Sequence, residues 1–451
     1  MPLRLVLALT VLALAPAPLR AQARLAAGPM PTYAEMTSAG VWVQLAAPGT
    51  VQLRAWPDGD PAAARLTAPL AVGADDDHLA HVVLDALRPG TPYAYEVYVD
   101  GARVAHEGPF LLATQPLWRF RGDPPELTIL IGSCAYVNDA WADRPGREYG
   151  GGFGIFDVMA EQRADLMLWM GDNVYYREPD WLTEPAMRAR YAHTRALPEL
   201  QRLLASTHHY AIWDDHDYGP NDSDRAFRLR REAREVFMDY WPDVTWPEQG
   251  VARRFGWADV DVFLLDDRSF RSPNAQRALD DKVMLGDAQR RWLVDALAGS
   301  SATFKLVVCG GQVVNPIVRY EGFGEFPVEQ RVLFDALVAE RIEGLVFLSG
   351  DRHHSELLAV TWEGGGYPWY EFTSSPLTAG AHEGHPDEID NPARVPGTFV
   401  RGTRSFGKLA VRGPAGARRL ELSAHDASGA PLWQHVVEQA ELRFGDDAGG
   451  R

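Results

Sequence analysis

Short apolar runs, each ended by a polar cluster, recur through the middle of the chain. Leu127–Ile131, Leu166–Met170, His209–Ile212, Val260–Leu265, Phe304–Val308 and Leu345–Leu348 are near-continuously apolar. That is the pattern of parallel strands buried on both faces. Between them Phe153–Arg163, Ala226–Tyr240, Asp287–Ala298 and Val328–Glu340 carry apolar residues at helical spacing. The alternation predicts an α/β core with helices on both faces, spanning Leu127 to about Ser375. After it, Lys408–Val411, Arg419–Leu422 and Trp433–Val436 alternate with period two. They predict closing strands of the same domain, set in a second sheet.

The first third of the chain reads differently. Val41–Leu45, Val51–Trp56, His81–Leu84 and Tyr93–Val99 are short and alternating, with Pro, Gly and Asp turns between them. This predicts a small β-sandwich over residues 28–114, of the fibronectin or immunoglobulin kind. It carries no ligand pattern, so it is expected to be dispensable for chemistry though not for solubility. Residues 115–126 hold three prolines and read as a linker. The catalytic domain is placed at 127–440 and a polar tail at 441–451. Ahead of the sandwich, Arg4, the apolar run Leu5–Leu14 and Ala21-Gln22-Ala23 have the form of an export signal, residues 1–23. The run is too short to span a bilayer, and no later stretch reaches the roughly 20 apolar residues needed. The expected location is periplasmic or secreted, with no transmembrane anchor.

Composition narrows the chemistry. The formal net charge is -17, and loss of Arg4 and Arg20 with the signal makes the chain more acidic still. Such a surface repels nucleic-acid backbones, so no nucleic-acid partner is expected. An anionic substrate must then be captured by local cations or metal ions. The chain has two cysteines, Cys134 and Cys309, each beside an apolar run. An exported chain can bridge them; free buried thiols, or a metal ligand at Cys134, are the other readings.

Four clusters follow the predicted strands: Gly132-Ser133-Cys134, Gly171-Asp172-Asn173-Val174-Tyr175-Tyr176, Trp213-Asp214-Asp215-His216-Asp217 and Gly350-Asp351-Arg352-His353-His354. Loops at the carboxyl ends of such strands gather on one rim of a sheet, where α/β folds bind what they act on. Helix capping explains one such cluster well but four with metal-capable tips poorly. A carboxylate at Asp172 can bridge two cations. A phenolate from Tyr175 suits a ferric ion, and Cys134 would add a thiolate whose proton must leave beside the metal. His353 supplies imidazole, and Asp351 a hard oxygen for an ion such as calcium. Trp181, Trp213, Trp241, Trp246 and Trp257 read as core and cleft wall. His208 and His209 read as caps of a strand entry.

In order, these clusters resemble the calcineurin-like metallophosphoesterases in their alkaline phosphatase D (PhoD-like) form. The resemblance covers most of the chain and implies a metallophosphoesterase sandwich, sheets flanked by helices, behind the N-terminal β-sandwich. It implies Cys134, Asp172, Tyr175 and His353 around Fe3+, with Asp172 and Asp351 shared with or facing Ca2+, other divalent ions being possible. Asp215 or Asn221 is the further oxygen ligand. It also implies His216 as proton donor to the leaving group, oriented by Asp215 or Asp217. Arg268 or Arg271, in a segment like the family's Leu-Asp-x-Arg block, can clamp phosphate or pair with a neighbouring carboxylate. Arg177 is an alternative clamp, and His354 a group near the substrate or behind the metal. The family's phosphate-binding arginine and lysine neighbourhoods hold Glu178 and Tyr136 here. Gly310-Gly311-Gln312 stands where the superfamily has a histidine block, and no metal is assigned to it. The expected activity is metal-dependent hydrolysis of small-molecule phosphate mono- or diesters. The alternatives are a metal-containing binding protein without catalysis and a phospholipid-directed phosphodiesterase of the same fold.

Overall fold

The structure, a computed structural model, describes residues 24–75, 77–244 and 246–445. The expected export signal and the end of the polar tail lie outside the described residues. The apolar runs form strands within a residue or so of their predicted limits, and they divide between two six-stranded sheets.

The first sheet has the order His208–Ile212, Leu166–Met170, Leu127–Gly132, Ser405–Arg412, Arg419–Asp426, Pro431–Glu438. Its first three strands are parallel and its last three antiparallel. The second runs Arg253–Trp257, Val260–Leu264, Phe304–Val308, Leu345–Ser349, Trp369–Thr373, Glu356–Val360, with four parallel strands between two antiparallel edges. The two sheets face each other. Ile129, Ile131, Leu168 and Met170 share one core with Val262, Leu264, Leu306 and Val308, and the Phe372 and Trp433 rings meet across the gap at 4.7 Å.

Two expectations are corrected. Helices cover only the outer face of each sheet, because the inner faces cover one another. Leu130, Met167, Trp169 and Ala211 point outward onto helices Ile155–Glu161, Glu184–Arg195, Pro198–Leu204 and Arg230–Tyr240. On the other side Phe334, from helix Pro327–Ala339, meets Phe347 and Trp369. The closing strands do not build a second sheet. They extend the first, because the open edge of Leu127–Gly132 needs a hydrogen-bonding partner and Ser405–Arg412 supplies it.

The N-terminal region is the expected β-sandwich, a sheet of Leu25–Ala34, Ala39–Leu45 and Leu79–Leu84 against one built on Gly49–Pro57 and Pro92–Val99. It is not a detached module. Trp42 is fully buried, its indole N–H donating to Asp239 O (3.1 Å) and its face 5.1 Å from the Arg195 guanidinium. Gln115 bridges the two parts, donating to Ala34 O (2.7 Å) and Gly256 O (2.9 Å). His208, its pKa lowered to about 4 by burial, has its ring between Thr32 and Ala113 of the sandwich side.

The docking face should therefore carry stability. Trp42→Ala removes a fully buried indole and is expected to cost about 3–5 kcal/mol, read as a lower denaturant midpoint for the whole chain. Unchanged stability would show that the sandwich is only tethered.

Candidate metal centre

The polar clusters that end the strands of both sheets meet at one rim, and glycine lets them close. A Cβ on Gly171 (φ +86°) would lie 2.6 Å from Asp214 Cβ, one on Gly310 2.6 Å from Asp214 Cγ, and one on Gly350 2.4 Å from Ser133 Oγ. The residues beside these glycines are bent as sharply. Cys134, Asp172, Asp351 and His353 have φ of 60°, 53°, 63° and 54°. A non-glycine residue held there costs on the order of 1–3 kcal/mol and persists only where its surroundings fix it. Here they do: Ala135 N–H donates to Asp172 O (2.8 Å) and His353 N–H to Ser375 Oγ (3.0 Å).

The bends aim four side chains at one point. Tyr175 Oη lies 2.9 Å from Asp172 Oδ2 and 3.1 Å from His353 Nε2, and Cys134 Sγ lies 3.5 Å from the same Asp172 oxygen. Groups bound to one ion at roughly 2 Å stand about 3 Å apart, so this set fits a cation of mixed N, O and S preference. His353 is presented correctly: Gly380 O, 2.6 Å from Nδ1, accepts a hydrogen bond from that N–H and leaves the Nε2 lone pair inward. Ser375 Oγ donates to Cys134 Sγ (3.0 Å).

Two further groups continue the row. Asp172, Asp215 and His216 have ligand atoms within 4.8 Å of one another, as do Asp215, Asp222 and Glu321. Asp172 and Asp215 are thus placed between successive groups, as bridging carboxylates are. Asp351 lines the same cleft, of about 1000 Å³, and its Oδ2 is buried without a hydrogen bond, 3.7 Å from the Arg352 guanidinium. The electrostatics are those of a site that lacks positive charge. Burial, reinforced by Cys134, Asp215, Asp217 and Asp351, pushes Asp172 well above the usual carboxylate range. Burial likewise raises Asp351 to about 6, against the pull of Arg352. Asp215 also feels burial, but His216, Arg268 and a backbone N–H outweigh it and hold it at about 2. Burial raises the Cys134 thiol and the Tyr175 phenol, so each of these protons leaves only for a cation, and it keeps the Tyr149 phenol protonated.

The remaining expected site residues divide. Asp215 sits at the centre of the row and Asn221 at the cleft edge, where its amide donates to Asp222 (2.8 Å). His216 lines the cleft, its ring 4.2 Å from that of Tyr175, with Nε2 4.0 Å from Asp215 Oδ2 and Nδ1 buried without a partner. Asp217 does not orient it. Its carboxylate accepts from Asp214 N (2.6 Å) and Asn173 N (3.1 Å), pinning two rim loops together.

None of the proposed phosphate clamps is free. Arg268 is buried against Asp214 and Glu321. Arg271 pairs with Glu321 (3.1 Å) and covers the Phe326 ring. Arg177 pairs with Asp143 (2.9 Å) over the Tyr136 ring. His354 is fully buried against Glu356 (3.3 Å). In each case a nearby carboxylate engages the side chain behind the cleft wall. Cys134 and Cys309 are both free.

The sequence reading missed Asp222, Glu321 and Tyr149. Asp222 follows Asn221 with no motif of its own. Glu321 lies on the long loop after strand Phe304–Val308, and its place at the carboxyl end of a parallel strand was the one available signal. Tyr149 comes from the loop after Cys134 and lines the cleft.

The sequence pattern of PhoD-like phosphatase matches residues 130–402, more than half of the chain and all of this rim. The chain belongs to the PhoD-like phosphatase family. A second pattern, Domain of unknown function (DUF7800), matches residues 22–112, the region of the β-sandwich. Among solved structures, PhoD superposes with a TM-score of 0.76 at 18% identity, over 95% of this chain and 93% of that one. The purple acid phosphatase PPD1 from yellow lupin (Lupinus luteus) seeds does so at 0.63 and 12%, over 91% and 74%. Both show the shared metallophosphoesterase fold. No curated protein sequence matches the chain.

As a PhoD-like phosphatase with Arg268 turned to the rear, the protein should lose stability when that residue is cut. Arg268→Ala strands two buried carboxylates and is expected to cost about 3–5 kcal/mol, seen in denaturant melts. A normal fold with only a raised KM would return Arg268 to the substrate.

Proposed function

We propose that this PhoD-like phosphatase, a metal-dependent phosphoesterase, holds Fe3+ at Cys134, Asp172, Tyr175 and His353. Ca2+ is proposed to be held by Asp172, Asp215, Asp351 and Asn221. The reading is carried by one observation, the convergence of a thiol, a phenol, an imidazole and a carboxylate on one point. Thiolate and phenolate suit a ferric ion, and an all-oxygen set suits calcium. When bound, such ions hold a phosphate ester between them, activate water and offset charge on the leaving oxygen.

The protein's own groups do the rest. The cleft wall is acidic, so it excludes the free anion except where cations sit. His216 faces the cleft from its seat on Tyr175 and gives its proton to the leaving alkoxide. Burial lowers the pKa of the ring, the Asp215 carboxylate beside it partly offsets that, and the proton given up is regained from solvent water. Substrates are small phosphate mono- or diesters. Residues 1–23 are proposed to export the chain to the periplasm or medium, which N-terminal sequencing of the mature protein checks: it should begin after Ala23.

Metal-reconstituted protein should hydrolyse aryl phosphate mono- or diesters and show a visible charge-transfer band from thiolate and phenolate to ferric ion. A colourless, fully active enzyme would remove iron from the reading. Asp172→Asn is expected to abolish metal content and activity together, and full activity in that variant would sink the shared-carboxylate centre. His216→Ala should keep its metal and lose roughly 10²–10⁴-fold in rate, least for leaving groups that need no proton. An equal loss for all leaving groups would make His216 structural.

A further inference from the structure

We infer that the Tyr149 hydroxyl is the hydrogen-bond donor that takes a non-bridging phosphoryl oxygen in this centre. The inference rests on the phosphoesterase reading and extends it to a residue outside every motif. It starts from a shortage. The arginine and lysine side chains lining the cleft reduce, among the described residues, to Arg352, which is held by Glu388 and faces Asp351 at 3.7 Å. Arg177, Arg268 and Arg271 are ion-paired behind the wall. A tetrahedral phosphoryl group has more oxygens than two ions and an incoming water can hold, and the remaining one must meet a donor.

Tyr149 lies on the cleft wall with its Oη 3.2 Å from His353 Nδ1. That nitrogen cannot accept from it, because at 2.6 Å from Gly380 O it must be the donor of that bond. The Tyr149 hydroxyl therefore has no acceptor among the described residues, and its proton is free for the cleft. The ring is also fixed. It stands edge-on to Tyr136, with centroids 5.0 Å apart. A Cβ on Gly380 would come within 2.7 Å of it, so the loop that orients His353 also packs the phenol. The backbone is tied at the ring and just after it: Arg404 donates to Tyr149 O (3.2 Å), Asn138 accepts from Gly150 N–H (2.8 Å), and Thr378 O from Gly151 N–H (2.9 Å). A donor held in place before substrate arrives needs no reorganisation as charge develops, which is what makes such donors effective.

The geometry also divides the work. Tyr149, Tyr136, Tyr175 and His216 form a row of ring contacts along one wall, at 5.0, 5.0 and 4.2 Å. One end presents the Tyr149 hydroxyl and the other the His216 imidazole. The first serves an oxygen that stays with phosphorus, the second the oxygen that leaves.

Tyr149→Phe in the metal-loaded full chain tests this, since phenylalanine keeps the packing and deletes the hydroxyl. The expected result is a fall in kcat/KM of roughly 10²–10³-fold, equal for good and poor leaving groups. Inorganic phosphate, titrated calorimetrically, should bind the variant more weakly, with metal content and the visible band unchanged. Wild-type kcat/KM and phosphate affinity in Tyr149→Phe would overturn the assignment. Loss of metal would overturn it too, making Tyr149 a support for His353. If the unaltered protein turns over no phosphate ester, the phosphoesterase reading fails by itself, and the phosphate titration still reports on Tyr149.

Discussion

The rim is governed by a surplus of buried carboxylates. Asp172, Asp214, Asp215, Asp267 and Asp351 crowd the meeting point of the two sheets, where burial drives Asp172 and Asp214 well above the carboxylate range. An unpaired charge in such a place costs several kcal/mol, so each must be neutralised or matched. The protein divides the task by direction. At the rear, Arg268 is locked between Asp214 and Glu321, and those carboxylates raise its own pKa well above normal, so it cannot be discharged. At the front, among the described residues, no arginine pairs with Asp172, and Asp351 Oδ2 has no hydrogen bond and only the Arg352 guanidinium, itself held by Glu388, at 3.7 Å. The front half of the cluster is complete only with metal bound, so metal affinity and the stability of the rim are one quantity seen from two sides.

That surplus explains the backbone. Carboxylates repel, and nothing in helix or strand geometry would bring four metal-capable residues to a point. The four left-handed residues, Cys134, Asp172, Asp351 and His353, are the bends that do it, and Gly171, Gly310 and Gly350 are the gaps that let strands of opposite sheets approach. The strain is offset by the cores beneath. Each bent residue follows or lies near a strand whose side chains are almost entirely buried, as Leu166–Met170 and Leu345–Ser349 are. A well-packed strand end is the one place where a costly turn can be held without the chain relaxing out of it.

The sequence made the strands legible because each is a short apolar run stopped by a glycine or polar turn. It made the inner candidate ligands legible because Asp172, Asp351 and His353 come directly after such stops. The sheet to which a strand belongs was not legible. The inner face of a sheet packed on another sheet is as apolar as one packed on a helix, so Leu166–Met170 reads the same in either architecture. The period-two tail was visible as strands, but its pairing to Leu127–Gly132 depends on an edge that only the folded sheet creates. Arg268 shows the same limit for the site. Its segment marks an arginine at a strand end, but which way it turns is decided by Asp214 and Glu321, from distant loops. Asp222, Glu321 and Tyr149 were hidden for the same reason, since their loops carry no periodicity and their places are set by contact alone.

The acidity that calls for metal also constrains what else can face the substrate. A guanidinium set into this cleft has a nearer and permanent partner than any passing phosphate, as Arg352 does in Glu388. An arginine there is captured by the wall, because a charge-assisted pair with a fixed carboxylate forms before substrate arrives. A neutral donor is not captured so strongly. The phenol of Tyr149 presents a proton without a charge, and its ring is held edge-on against Tyr136, a contact the carboxylates do not disturb. The departure from the family's cationic phosphate binders, Glu178 and Tyr136 standing in those neighbourhoods, then has a physical counterpart. Once the ions supply the attraction for an anion, the remaining groups need only direction, and a fixed neutral donor supplies direction at the lowest risk of pairing with its own wall.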